Sequence, residues 1–475
     1  MQPLVAARAG TVLVEIRMTI KENADVDGSA AGIVARLERL PVSRPLVWAR
    51  MVVGSATFFD GYTTLAIAYA MPVLAKLWQL PPSRVGLVIS SGYLGQLLGA
   101  LFFGWLAERI GRLRTLTITV SIFAIMSVAC IFSWNATSLI VFRFIQGIGT
   151  GGEVPVASAY VNEFVGARSR GRFFLLYELL FLVGLVFAGL IGYELVPRFG
   201  WQMMFWIGVV PVALTVPLRF FLPESPRWLL THGRIPEAEA VVSRLEKDVT
   251  DRGVALPPPV RATGIVASFE RGSWRDLFSG IYRKRTLTLW MLWFCSYLIN
   301  NGLATWLPTL YRTVFNIPLR TSLLYGLIMT TVAVVVSFVC AISIDKVGRR
   351  PWYIGAFGLA VIPLAVLWII GASTAIQVLV FATCAYAIIQ TITYSLYLYS
   401  AELYPTRMRA VGAGIGSAWL RAGSMAGPAL IGFVIAESGV HTVFLSFAIV
   451  AIAGAVTCAL FATETKGRVL EELSP

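Results

Sequence analysis

Gly104-Trp-Leu-Ala-Glu108-Arg109-Ile-Gly111-Arg112-Leu-Arg114 is a charged segment set between two long apolar runs, and it recurs once. Ala341-Ile-Ser-Ile-Asp345-Lys346-Val-Gly348-Arg349-Arg350 repeats the acid, the base, the glycine and the next base in the same order, 237 positions later. Each copy reads as a tight hinge between two membrane helices, with the glycine at the point where the backbone must turn. Two further pairs keep nearly the same displacement: Glu163, Arg168 and Arg170 return 239 positions on as Glu402, Arg407 and Arg409, and Glu224 returns 240 positions on as Glu464. Three anchors at one spacing make the chain a duplication, two homologous helix bundles in series.

Composition agrees. Hydrophobic residues are 57% of 475, charged residues 13%, and the mean hydropathy is +0.75. A spanning helix needs roughly 20 mostly apolar residues, and the chain holds twelve such runs without the alternation of a barrel strand. The expected fold is an all-α membrane protein of twelve transmembrane helices in two pseudo-symmetric six-helix bundles. Its expected divisions are a leader at 1–47, in which Met18 opens a more ordinary polar start, a first bundle at 48–222, a linker at 223–285, a second bundle at 286–463 and a tail at 464–475.

The net charge of +14 follows the loops and does not mark a nucleic-acid surface. Every second connection is basic, with Arg109, Arg112 and Arg114 in one and Lys346, Arg349 and Arg350 in its echo, so those loops and both termini are expected in the cytoplasm. The lipid bilayer is the only macroscopic partner expected, and a monomer suffices. Five cysteines scattered through apolar runs read as packing residues, and the two histidines suit neither a metal nor a proton relay. No cofactor is expected: no Walker loop is present, and the formal GxGxxG at Gly147, Gly149 and Gly152 lies inside an apolar run with no strand before it.

Ionisable residues deep in the spans carry the functional reading, because a charge at bilayer centre costs on the order of 3 kcal/mol even on lenient scales. They are Asp60 in the first span, Arg143 and Glu153 in the fourth, and Arg421 in the eleventh. Arg421 is about 18 Å deep at 1.5 Å per residue. Its side chain cannot shed its proton, so it needs an anionic partner: a substrate, or an acid of the chain such as Glu178. Trp293, Tyr297, Asn300 and Asn301 in the seventh span, Gln390 and Tyr394 in the tenth, and Trp419 in the eleventh mix aromatic and amide groups at mid-depth. They suit either a cavity wall or ordinary packing. Glu108, Arg109, Arg112, Glu163, Arg170, Glu224 and Arg227, with the echoes Asp345, Arg349, Glu402 and Arg409, are expected to latch the two bundles together on the cytoplasmic side.

From the hinges to Pro223-Glu-Ser-Pro-Arg-Trp228, the chain resembles the major facilitator superfamily over residues 48–468. Gly151-Gly-Glu153-Val-Pro155-Val-Ala-Ser158 and Pro223–Trp228 look like the bacterial niacin transporters and the wider organic-ion and synaptic-vesicle set. The Trp306-Leu-Pro308 end looks like the aromatic acid:proton symporters. The resemblance implies that Asp60 and Arg143 pair for proton coupling and that Arg421 meets a substrate carboxylate. The chain departs from the pattern at Glu108, where the hinge usually has Asp, and at Thr63, which replaces a second acid of the symporters. The expectation is a secondary transporter, not an enzyme, that takes up a small organic anion with protons. The competing readings are a receptor or scaffold on the same fold, and a carrier of neutral or cationic metabolites such as sugars.

Overall fold

The computed structural model of the chain describes residues 30–164, 167–259, 274–404 and 406–466. Among these there are sixteen α-helices, two short 3-10 segments and no strand. The first bundle is α2 (Arg44–Leu77), α3 (Pro82–Ile110), α4 (Arg112–Ile131), α5 (Ala136–Phe164), α6 (Ala167–Phe199) and a broken sixth segment. The second is α11 (Gly280–Thr313), α12 (Leu319–Val347), α13 (Arg349–Ile369), α14 (Ala375–Leu403), α15 (Thr406–Ser438) and α16 (Val440–Phe461).

The sixth segment differs from the single run read in the sequence. It divides into α7 (Gln202–Ile207), a 3-10 turn at Val210–Leu214 and α8 (Thr215–Phe220). Pro211 and Pro217 each remove a backbone donor from what would otherwise be one helix, and the segment breaks beside them. Eight of the described helices are long and apolar enough to cross a bilayer by composition alone. The long helices that fall short, α2, α5 and α11, carry Asp60, Arg143 with Glu153, and Asn300 with Asn301. Polarity in these helices therefore marks an interior surface.

Both hinges close as their sequence requires. Gly111 ends α3 at φ +108 and Gly348 ends α12 at φ +107, a region that a side chain makes costly. The turn puts the first amides of the next helix out for capture, and in each bundle a distant carboxylate takes them. Glu224 accepts from the N–H of Arg112 at 3.1 Å and of Leu113 at 3.2 Å. Glu464 accepts from Arg349 and Arg350, both at 3.0 Å. An anion at a helix N-terminus meets unpaired donors and the positive end of the dipole, which explains why the third sequence echo keeps its glutamate.

Described side-chain bonds between the bundles lie at mid-helix and on the side away from the hinges. Ser90 donates to the Met425 carbonyl at 2.7 Å, Tyr93 donates to Asn301 Oδ1 at 2.9 Å, and Arg320 approaches Glu194 at 3.8 Å. A core shared by both bundles, with Tyr69 and Met71 beside Trp306 and Leu307, reinforces that contact. On the hinge side a second core buries the ends of the first bundle together with the segments before and after it. There α1 (Ala30–Glu38) lies on α10 (Ile235–Thr250), which follows α9 (Pro226–Thr231). Ile33 and Leu37 meet Val242 and Leu245, while Arg36 and Arg39 both pair with Glu246 at 2.6 Å. The part of the leader described here is thus a docked helix, tied further by the Arg227–Glu38 ion pair.

Candidate functional site

Between the bundles, at mid-helix, lies a cavity of about 100 Å³. The first bundle gives it Thr57, Asp60 and Thr64, which sit three and four residues apart and so share one face of α2. Tyr93 and Gln96 of α3 and Val154 of α5 complete that wall. From the second bundle come Tyr297, Asn300 and Asn301 of α11, Tyr386, Gln390, Tyr394 and Tyr397 of α14, and Arg421 with Ser424 of α15. Amides and hydroxyls are bonded to one another: Asn300 donates to Gln390 at 2.7 Å, and Asn301 donates to Ser424 at 2.9 Å while accepting from Tyr93. These bonds hold the polar wall in one arrangement.

The two charged groups of the cavity are held differently. Arg421 is 4% exposed and donates to the Ser417 carbonyl at 3.0 Å on its own helix and to the Gly151 carbonyl at 3.1 Å on α5. Among the described residues no carboxylate comes within ion-pair distance of it, although Asp60 lines the same cavity. Asp60 is also 4% exposed, and among the described residues its Oδ1 has no hydrogen-bond partner. An arginine bonded, among the described residues, to neutral carbonyls and an acid with an open oxygen, facing one cavity, are a receptive pair.

Not every residue expected at the site is there. Arg143 does not pair with Asp60: its guanidinium donates to Gln146 at 2.9 Å, three residues along the same helix, and Ser127 accepts from that glutamine at 2.7 Å. Arg143 instead lines a separate recess of about 10 Å³ with Thr63, Gln146 and Thr150. Gln96 borders both spaces. Glu153 is fully buried behind the wall, where it accepts from Thr57 at 2.9 Å. Trp293 packs its ring 5.1 Å from Tyr397 and is fully buried, and Trp419 stacks on Trp290 at 5.3 Å on the outer side of α15. For these two tryptophans packing prevails over cavity lining. Sequence reasoning missed Thr57, Tyr93 and Gln96. The helical spacing of Thr57 and Thr64 about Asp60 was the available signal for the first.

At the hinges the ion pairs form inside each bundle, not between bundles as expected. Arg112 binds Glu163 at 2.9 Å and Glu108 at 2.8 Å; Arg349 binds Glu402 at 2.6 Å and Asp345 at 2.7 Å. The reason is geometric: with the bundles bonded on the far side, each arginine finds its acids at the end of its own helix pair. Arg109 lies outside the network with its guanidinium 4.2 Å from the Trp105 ring, and Arg227 donates to the Glu163 carbonyl at 3.1 Å. The side chains of Arg170, Arg409 and Glu178 lie outside the described residues. Burial lifts the Glu224 carboxyl above the usual range despite its backbone donors. Glu464 also feels burial, but four backbone N–H groups outweigh it and hold its carboxyl below that range.

Duplicated hinges, two six-helix halves and a polar cavity between them define a multi-pass membrane transporter of the major facilitator superfamily. The chain belongs to the sugar (and other) transporter family, whose model matches residues 48–475. It is similar to the niacin transporter NiaP of Acinetobacter baylyi, at 34% identity over 93% of this chain and 99% of that one. The 4-hydroxybenzoate transporter PcaK of the same organism is 30% identical, over 89% and 92%. Among solved structures, the partially occluded inward-open xylose transporter XylE from E. coli superposes with a TM-score of 0.71 at 19% identity, over 90% of this chain and all of that one. That likeness is one of fold.

Proposed function

We propose that the protein takes up a small aromatic or heterocyclic monocarboxylate together with protons across a bacterial inner membrane, with its basic hinges and both termini in the cytoplasm. The observation that carries this is Arg421: a permanent, buried charge at a cavity wall, bonded among the described residues to neutral carbonyls. A carboxylate meets a guanidinium through two parallel hydrogen bonds, while the rings of Tyr297, Tyr386, Tyr394 and Tyr397 suit a flat apolar body. The names of the two relatives above, carriers of niacin and of 4-hydroxybenzoate, support the same class.

Charge balance supplies the coupling. The described lining of the cavity carries one fixed cation, Arg421, and one acid, Asp60, which together are neutral. An arriving carboxylate would leave an uncompensated negative charge in a low-dielectric site, and a proton on Asp60 removes it. Substrate and proton then enter as a neutral set. Separation of the bundles on the far side would complete an alternating-access cycle, with the hinge charges exchanging partners as the basic side closes.

The test compares nicotinate with its uncharged amide, nicotinamide, by thermal shift and counterflow on purified protein. Wild type should prefer the acid. Arg421→Lys should insert normally and lose most affinity for the acid, because an ammonium does not reproduce the two-pronged contact. Arg421→Ala should lose acid binding far more than amide binding. Equal losses for both ligands would make Arg421 a structural group and end the anion assignment.

A further inference from the structure

Arg421 reaches across the interface to one particular carbonyl, and the sequence explains why that carbonyl is open. In an α-helix the C=O of residue i accepts from the N–H of residue i+4. For Gly151 that residue is Pro155, which lies inside α5 and has no N–H. The Gly151 oxygen is therefore left without its helical donor, and Arg421 Nη2 occupies it at 3.1 Å. Gly151 is also fixed in place: a Cβ there would lie 2.1 Å from the Gln96 carbonyl oxygen, so only glycine lets α5 press against α3 at this point. One turn on, Val154 faces the cavity.

We infer that Pro155 is a positioning residue for the anion-binding arginine: it opens the Gly151 carbonyl as a neutral stand-in for the substrate carboxylate, and arrival of the carboxylate displaces Arg421 from it. The inference rests on the reading of Arg421 as the anion-binding group and adds what holds that group when the cavity is empty. Three consequences follow from the geometry. With no ligand bound, the two terminal nitrogens of the guanidinium both keep a carbonyl partner. A neutral ligand, which makes no charged pair, competes poorly with the carbonyl and leaves the arginine where it is. And because Gly151 belongs to the first bundle and Arg421 to the second, exchanging the carbonyl for a carboxylate cuts a mid-depth tie between the bundles as the site fills. Occupancy and bundle separation are then linked through one hydrogen bond.

The chain offers a direct probe, since Gly-Gly occurs once in its sequence, at Gly151-Gly152. Protein labelled with carbonyl-13C and 15N glycine gives a single carbonyl-to-nitrogen correlation in a solid-state spectrum in lipid, and its carbon is the Gly151 carbonyl. With no ligand present, Arg421→Ala should move that peak upfield as the hydrogen bond is lost. Saturating nicotinate on wild type should move it the same way, and nicotinamide should leave it in place. Pro155→Ala restores the helical N–H, so the peak should become insensitive to nicotinate, while affinity for the acid rises roughly tenfold, the weight of one charge-assisted bond no longer broken on binding. Affinity for the amide should change less. Pro363→Ala in α13 controls for loss of a helical proline in general.

A Gly151 peak that ignores Arg421→Ala in the empty protein overturns the inference whatever the substrate is, and needs no Pro155 variant to fold. A peak that responds to that substitution but stays fixed under bound nicotinate overturns the displacement step. Equal changes in acid and amide affinity on Pro155→Ala reduce the proline to a shaper of α5. Failure of the anion reading itself shows elsewhere, as equal acid and amide affinities in wild type.

Discussion

The two bundles match at their hinges and differ on their inner faces. Gly111 and Gly348 turn within a degree of each other in φ, each is followed by an arginine bound to two acids of its own bundle, and each helix start is capped by a remote glutamate. Inside, the first bundle presents Asp60 among hydroxyls and one glutamine, and the second presents Arg421 among tyrosines and amides. Duplication has kept the hinges and let the inner faces diverge. The cavity consequently has an acid on one wall and a base on the other, the minimum needed to treat a proton and an anion separately.

The largest effect should come from setting the two walls against each other. Asp60→Asn keeps the shape of the first wall and removes its proton site, so the accumulation ratio in proteoliposomes under a proton gradient should fall to about one, the value of an uncoupled carrier. Counterflow, which needs binding but no net proton movement, should persist. Arg421→Lys should do the reverse damage and lose counterflow itself. If Asp60→Asn still accumulates substrate normally, the division of labour between the walls is wrong.

A second, smaller effect should separate two hinges that look alike. Arg112→Ala removes the cation shared by Glu108 and Glu163, and leaves Glu163 beside Glu224, whose charges already oppose each other. Arg349→Ala strands Glu402 as well, but that carboxylate keeps the Thr465 hydroxyl as a donor at 2.6 Å. We expect about 3 kcal/mol lost at the first hinge, as for a buried pair deprived of one partner, and about 2 kcal/mol at the second. Thermal denaturation of the two variants in one detergent checks the order. Equal melting temperatures would mean that Thr465 contributes nothing.

How much of this was legible in the sequence divides along the same line. The turns of the hinges could be read from the sequence because their determinants are local, a glycine at a turn, charges at helix ends and a fixed displacement between copies, but the partners of the charges, which lie within each bundle and not across, could not. The spans and their order were legible from apolar length, except where Pro211 and Pro217 divided the sixth. The cavity was legible only in part. Depth alone singled out Asp60 and Arg421, but depth does not say which way a side chain turns, so Arg143 found Gln146 on its own helix, and Trp293 and Trp419 went to packing. Gln96 and Tyr93 could not be found without knowing that α3 borders the cavity. The Gly151 carbonyl was within reach of sequence reasoning, since a proline inside a helix always frees the carbonyl four residues earlier. What the sequence did not hold was the partner across the interface.

The smallest effect concerns the capping glutamates, whose geometries are alike and whose electrostatics are opposite. Glu464 has its carboxyl held low, so the fold favours its ionised form. That contribution is fully present above the unfolded value of about 4.3 and is lost as pH falls through the lower folded value. Glu224 has its carboxyl raised, chiefly by burial, so the fold favours the protonated form and its contribution is lost as pH rises through the folded value. A glutamine resembles the protonated acid. At pH 7, Glu464→Gln should therefore lower the melting temperature while Glu224→Gln costs little or nothing, a gap on the order of 1 kcal/mol for a charge-assisted bond at a partly exposed site. Lowering the pH toward 4 should narrow the gap, because wild-type Glu464 then begins to lose the charge that the substitution had removed. A gap that stays constant from pH 7 to pH 4 would mean that the two caps differ in packing alone, and the electrostatic contrast between the bundles would reduce to the two walls of the cavity.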